Sequence, residues 1–205
     1  MASSNQELEV KFYIPAISIL QARLEALGAQ LVQPRVHEVN LRFDTPSGEL
    51  TSSYRVLRLR QDTAAHLTYK GPGVEQDGVR LRQELEFTVG DFAAARHVLE
   101  ALGYVVSVMY EKYRASYLLK GVTVTLDEMP YGNFIEIEGP DGASIHQTAE
   151  ALGLDWERRI LDSYLMLFDR LRMRLSLAFH DLSFANFEGI KVTGEMLGVV
   201  DSQLI

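Results

Sequence analysis

The stretch Glu7-Leu8-Glu9-Val10-Lys11-Phe12 decides the fold, because it sets both the structure that opens the chain and the direction its charges face. In an extended strand successive side chains point to opposite faces. Glu7, Glu9 and Lys11 therefore stand about 7 Å apart on one side, while Leu8, Val10 and Phe12 share the other. A half-buried antiparallel strand with one solvated face gives the same alternation. Repetition on later strands changes that reading.

Seven further segments alternate in the same way. They are Val36 to Asp44, Tyr54 to Arg60, Ala65 to Lys70, Arg80 to Val89, Glu111 to Leu119, Val122 to Glu128 and Asn133 to Glu138. Turn residues separate them: Thr45-Pro46-Ser47-Gly48, Gly71-Pro72-Gly73, Gln76-Asp77-Gly78, Lys120-Gly121 and Pro130-Tyr131-Gly132. Apolar positions at helical spacing predict a helix from Pro15 to the cap at Gly28 and another from Asp91 to Gly103. Helices are also predicted over Ile145 to Leu152 and Trp156 to Leu177. The order strand, helix, strands occurs twice, which predicts an α+β fold: an eight-stranded antiparallel closed β-barrel with helices outside and a C-terminal helical extension. We place one domain at residues 1–175 and a tail at 176–205 that packs on the domain or on a partner.

The polar faces carry charges sorted by strand. Arg58, Arg60, Lys70, Arg80, Arg82, Lys112 and Arg114 form basic runs; Glu7, Glu9, Asp127, Glu136 and Glu138 form acidic ones; Arg42, Asp44, Thr68, Thr123 and Thr125 share the same side. A face that merely solvates the protein would mix its signs. Like charges at alternate positions, or facing each other across strands, repel unless something of opposite sign lies between them. A triphosphate chain answers the bases, with Arg as bidentate donor and Lys as point charge. A hard divalent ion, Mg²⁺ or Mn²⁺, answers the carboxylates. These faces are therefore expected to line the inside of the barrel.

Composition narrows the alternatives. The 205 residues are 47% hydrophobic and carry a net charge of −8, which argues against a nonspecific nucleic-acid binder. There is no cysteine, which removes disulfides, thiolate metal sites and cysteine nucleophiles, and the five histidines share no ligating spacing. The start, Met1 to Gln6, lacks the features of a signal peptide, and no run of 18 apolar residues follows. The expected protein is cytoplasmic and soluble, with a small-molecule triphosphate as its partner, no nucleic acid or membrane, and homodimerisation left open.

With these motifs quoted, the chain resembles the CYTH family, the triphosphate tunnel metalloenzymes. The signature ExExK stands at Glu7 to Lys11. The family's further motifs follow in order: FDTP at Phe43 to Pro46, LRLR at Leu57 to Arg60, LTYKGP at Leu67 to Pro72, RLRQELEF at Arg80 to Phe87, EKYR at Glu111 to Arg114, and LDEMPYGNFIEIEG at Leu126 to Gly139. The resemblance covers about residues 6 to 170. It implies a tunnel in which Glu7, Glu9, Asp127, Glu136 and Glu138 hold Mg²⁺ or Mn²⁺. Lys11, Arg58, Arg60, Lys70, Arg80, Arg82, Lys112 and Arg114 would then hold the triphosphate, with Glu7, Glu9, Lys11 and Asp127 catalytic. Glu84 and Glu86 are divided between assisting metal or water and pairing with arginines. The motifs look most like the class IV adenylyl cyclase branch, whose members carry a His-Phe pair before ExExK where this chain has Ser4-Asn5-Gln6. That departure favours hydrolysis of tripolyphosphate or of a nucleoside or thiamine triphosphate. Cyclisation of ATP is the alternative, and a non-catalytic polyphosphate or nucleotide sensor is a third reading.

Overall fold

The computed structural model describes residues 5–202. Its elements run β1 (Gln6–Ile14), α1 (Ile17–Ala26), β2 (Gln30–Asp44), α2 (Glu49–Ser52), β3 (Val56–Gln61), β4 (Ala65–Lys70), β5 (Val74–Gln76) and β6 (Val79–Val89). Then follow α3 (Phe92–Ala101), β7 (Val105–Leu119), β8 (Val122–Met129), β9 (Gly132–Glu138), α4 (Gly142–Ala151), α5 (Tyr164–Leu175) and α6 (Gly194–Leu197). The antiparallel sheet has the order β1-β9-β8-β7-β2-β3-β4-β6-β5, and β6 also pairs with β1. That last pairing, which sets Glu7 opposite Arg82 and Glu9 opposite Arg80, closes eight strands into a ring. The short β5 hangs outside it on β6.

Two hairpins turn where the sequence places them. Asp77 with Gly78 and Lys120 with Gly121 all have positive φ, the conformation of a type I′ turn whose twist matches the flanking strands. Helices α3, α4 and α5 start at side-chain caps: Asp91 accepts from the Ala94 amide, Asp141 from Ser144 and Ser163 from Met166. Helices α1 and α4 bury the outward faces of β1, β8 and β9 around Phe12, Leu20, Leu24, Ile135, Ile137 and Ile145. Helix α3 covers Leu41, Phe43 and Leu59.

The structure departs from the sequence pattern in several places. β2 begins at Gln30 rather than Val36 and passes Pro34, because the register shifts between Gln33 and Val36 and the missing proline N–H falls at that irregularity. β7 likewise begins at Val105 rather than Glu111, along the lengthened partner. The helix expected over Trp156 to Leu177 is broken. A 3-10 turn at Trp156–Arg158 gives way to extended chain, and Ile160 exchanges two backbone hydrogen bonds with Lys11 (3.3 and 2.7 Å) before Ser163 starts α5. The outward face of β6 is not fully covered: Leu85 and Phe87 are exposed.

The C-terminal segment packs back on the ring. Leu182 exchanges backbone hydrogen bonds with Met109 and Glu111 of β7, and Leu182, Phe187, Leu197 and Val199 are buried with Tyr131, Phe134, Leu167 and Phe168. Together with α5 they form an apolar cluster against Tyr110 of β7, Met129 of β8 and Phe134 of β9.

Asp44, expected on the charged face with Arg42, is instead a structural anchor. It is buried and accepts hydrogen bonds from the amides of Thr45, Leu50 and Thr51 and from the Thr51 hydroxyl, at 2.6 to 2.9 Å. These bonds hold α2 and the turn after it, and they pull the carboxyl below its ordinary value despite burial. Asp44→Ala orphans a buried amide at Leu50 and is expected to cost about 2 kcal/mol, read from urea unfolding.

Candidate active site

Inside the ring the alternation delivers one face of every strand to a common space. Glu7, Glu9, Lys11, Arg58, Arg60, Lys70, Arg80, Arg82, Lys112, Arg114, Glu136 and Glu138, all singled out from the sequence, line a single cavity of about 550 Å³. Glu84 and Glu86 line it too. Gly73 permits the seat of Arg80, since a Cβ at Gly73 would stand 2.6 Å from the Arg80 Nε.

Most of these charges are already paired. Lys70 donates to both oxygens of Glu7 (2.7 and 2.9 Å), and Arg82 bridges Glu7 (2.7 Å) and Glu9 (3.0 Å). Glu136 binds Lys11 at 3.2 Å and is also bound by Arg114. Burial pushes the Glu136 carboxyl up, but Lys11, Arg114 and Lys112 outweigh it and hold it well below the carboxylate range. Glu86 accepts from Thr68 (2.6 Å), Arg60 (3.1 Å) and Arg58 (3.2 Å), so it serves the arginines that surround it.

Asp127 does not line the cavity. It is fully buried and accepts from Arg114 Nε (2.6 Å) and Nη2 (2.5 Å), Lys112 Nζ (3.1 Å) and the Tyr164 hydroxyl (2.8 Å). Four donors use up the acceptor positions of a carboxylate. Its place in the structure is behind the basic pair, fixing where Lys112 and Arg114 point.

The structure also brings in residues that sequence reasoning did not select. Glu38 is fully buried inside the ring, 3.6 Å from Lys112 and 3.8 Å from Arg60, and neither of its oxygens has a hydrogen-bond partner. Burial raises its carboxyl, yet Lys112, Arg114, Arg60 and Arg58 hold it at about 2. Tyr110 accepts from Arg58 at 3.4 Å. Both residues were marked by parity, since Glu38 lies two positions before Asn40 and Tyr110 two before Lys112. Arg172 lines the cavity from the last turn of α5, a helix whose arginines are read from the sequence as a solvated face, with a lid reaching the tunnel mouth as the alternative.

Two imbalances remain after all pairing. Arg42 and Arg80 line the cavity with no carboxylate among the described residues within ion-pair distance, and for each burial is the chief cause that pushes its guanidinium down, reinforced by Arg82 beside it. At the acidic end the sign is reversed. Glu9 and Glu138 are register partners on β1 and β9, and burial, Glu7 and Glu84 push the Glu138 carboxyl up to about 7. Glu84 is raised as well, by burial and by Glu7 against the pull of Lys70. The structure thus has room for added negative charge near Arg42 and Arg80 and for added positive charge near Glu138.

The donors at the acidic end are all carboxylate oxygens, the set preferred by a hard divalent cation. Among the described residues no three acids or histidines already converge as a metal cage. The raised proton affinity of Glu138 and Glu84 is nonetheless what a bound cation relieves, so these residues fit an ion shared with a ligand better than one held by protein alone.

An antiparallel ring of eight strands around a lumen of buried, paired charges defines the class of protein. A CYTH domain model matches residues 5–161, and the chain belongs to that family. No curated protein matches the chain. Among solved structures, a Vibrio parahaemolyticus protein named as a candidate adenylate cyclase superposes with TM-score 0.72 at 20% identity, covering 80% of this chain and 97% of its own. A Pyrococcus horikoshii protein is 27% identical with TM-score 0.64, over 77% and 96% of the two chains. A Hippeastrum protein, described as a candidate adenylyl cyclase with a dominant triphosphatase activity, aligns at 21% identity and TM-score 0.60, over 80% and 95%. No helix among the described residues is long and apolar enough to cross a membrane.

The Glu138 shift has a direct consequence for stability. Between its ordinary value of 4.5 and about 7 the folded protein keeps a proton that the unfolded chain has released, so stability falls as pH rises through that window. In metal-free buffer Glu138→Gln is expected to raise the melting temperature at pH 8 by about 2 °C and to change it less at pH 5, measured by calorimetry. Added Mg²⁺ should stabilise the unaltered protein more than the variant.

Proposed function

We propose that this chain is a divalent-metal-dependent enzyme that hydrolyses the triphosphate chain of a small molecule inside the ring. The observation that carries the reading is the double imbalance: the guanidiniums of Arg42 and Arg80 line the cavity without a carboxylate in ion-pair distance among the described residues, and the carboxyls of Glu138 and Glu84 are raised by burial and by the acids near them. A metal–triphosphate complex supplies both missing charges at once.

In this reading Arg42, Arg58, Arg80, Arg82, Lys112 and Arg114 hold the phosphate oxygens and neutralise charge that builds on them as a phosphorus–oxygen bond breaks. Most are kept in place by carboxylates, so little reorganisation is left for the reaction itself. Glu7, Glu9, Glu136 and Glu138 would hold Mg²⁺ or Mn²⁺, which when bound polarises the phosphoryl oxygens. Asp127 acts as a positioning residue for Lys112 and Arg114. A water oxygen bonds to the terminal phosphorus as the bridging oxygen leaves with the diphosphate, and the water proton passes to Glu84. That carboxyl is raised above its ordinary value by burial and by Glu7 and has one cationic neighbour, Lys70 at 3.1 Å, whereas Glu86 is occupied by Arg58, Arg60 and Thr68.

Incubation with Mg²⁺ or Mn²⁺ and either tripolyphosphate, ATP or thiamine triphosphate, followed by product separation, tests the reading. Orthophosphate supports it. Cyclic AMP with diphosphate shows the alternative, a class IV-type adenylyl cyclase, and tight binding without turnover shows a sensor. Glu9→Gln is expected to lower kcat about 100-fold in a protein that still unfolds in one cooperative transition. Arg58→Ala should weaken triphosphate binding about tenfold while affecting a monophosphate much less; equal losses for both ligands would contradict a cavity matched to chain length.

A further inference from the structure

Glu38 is a buried charge that no hydrogen bond latches. It stands on the lumen side of β2 but does not line the cavity: Lys112 and Arg60, which do, lie in front of it at 3.6 and 3.8 Å. Neither of its oxygens accepts a hydrogen bond. Asn40, two positions on and in register with Arg60 of β3, is fully buried with its amide oxygen and nitrogen equally unbound, so β2 offers no second hold on that arginine. A fully buried carboxylate is costly unless it is both paired and hydrogen-bonded, and this one meets only the first condition. It is ionised all the same: burial pushes the carboxyl up, but Lys112, Arg114, Arg60 and Arg58 hold it at about 2.

The same two cations are gripped differently by their other acids. Lys112 donates to Asp127 at 3.1 Å, and Arg60 donates to Glu86 at 3.1 Å and lies 3.3 Å from Asp62. Those contacts fix direction. The pull of Glu38 does not, because a hydrogen bond is lost within about an ångström of stretching, whereas a Coulomb attraction falling as 1/r weakens over that ångström by only about a fifth. Lys112 and Arg60 can therefore shift toward a ligand in the lumen while Glu38 still draws them back. An uncharged side chain at this position would leave more net positive charge facing the cavity. A phosphate set free by hydrolysis would then be held more tightly.

We propose that Glu38 is a positioning residue for product release: it competes from behind with the phosphates for Lys112 and Arg60, and takes both cations back as the product departs. The proposal rests on the reading of the lumen as a triphosphate site. Glu38 acts through the two cations and touches neither substrate nor metal. The cavity is then built to bind phosphate less tightly than its lysines and arginines allow, which favours turnover over retention.

Glu38→Gln removes the charge and keeps the shape. Orthophosphate, diphosphate and tripolyphosphate are titrated calorimetrically, with and without Mg²⁺, into the unaltered protein and the variant. Affinity for orthophosphate and diphosphate is expected to rise about 10- to 100-fold in Glu38→Gln, the effect of one charge removed from behind the ligand's partners. With the triphosphate that is turned over, kcat and KM should fall together while kcat/KM holds, because departure of product becomes the slow step. Glu38→Asp keeps the charge but withdraws it by one methylene, and should tighten product binding about threefold. That variant decides the matter if Glu38→Gln does not fold. Unchanged or weaker product binding in a folded Glu38→Gln, or in Glu38→Asp where it alone folds, overturns the release role and leaves the triphosphate reading standing. A fall in kcat/KM at unchanged KM does the same. Failure of the unaltered protein to bind any of the three ligands in either buffer overturns the triphosphate reading, and the release role with it.

Discussion

A charge that faces the inside of a closed β-ring has little bulk water to solvate it, and most of this structure follows from how that cost is met. Desolvated carboxylates and ammonium groups are tolerated when they are paired and hydrogen-bonded, and they become strongly unfavourable when one partner is missing. Here Glu7 is held by Lys70 and Arg82, Glu136 by Lys11 and Arg114, and Asp127 by Lys112, Arg114 and the Tyr164 hydroxyl. The strand pairings that close the ring are the same ones that bring these partners together. Sheet register and charge pairing therefore support each other: a one-residue slip of β1 against β6 would turn Glu7 and Glu9 outward and leave Arg82 alone inside.

The inventory does not close completely. A lumen neutralised in every detail would be a stable core with nothing to bind. Arg42 and Arg80 lack acidic partners, and Glu138 and Glu84 crowd others of their own sign. These are local conflicts set within an otherwise consistent network, the pattern expected where selection acts on a ligand rather than on the fold.

The ring and the residues facing into it were legible from the sequence because both depend on the same period of two. Alternation marks a strand, and parity within it marks which side chains share a face. The hairpins at Asp77-Gly78 and Lys120-Gly121 were legible because their turn chemistry is local. What stayed hidden depends on distant partners. The extension of β2 past Pro34 is supported by β7, and the break near Ile160 is supported by backbone bonds to Lys11, neither of which has a local signature. Parity alone could not separate Asp127, saturated by four donors, from Glu138, which has too many acidic neighbours. Nor could it show that Asp44 turns away to hold α2.

Helix α5 is tied to the charged lumen too closely to be an appendage. Lys11 and Ile160 exchange backbone hydrogen bonds just before α5, the Lys11 ammonium lies 4.9 Å from the centre of the Tyr164 ring, and Lys112 lies 5.5 Å from it. The hydroxyl of the same tyrosine reaches Asp127, the carboxylate that orients Lys112 and Arg114. Buried cation–π contacts gain strength from desolvation, so packing of α5 and placement of the cations are parts of one arrangement. The CYTH match ends at residue 161, and the segment that follows supplies both this support and the apolar side of the cavity mouth.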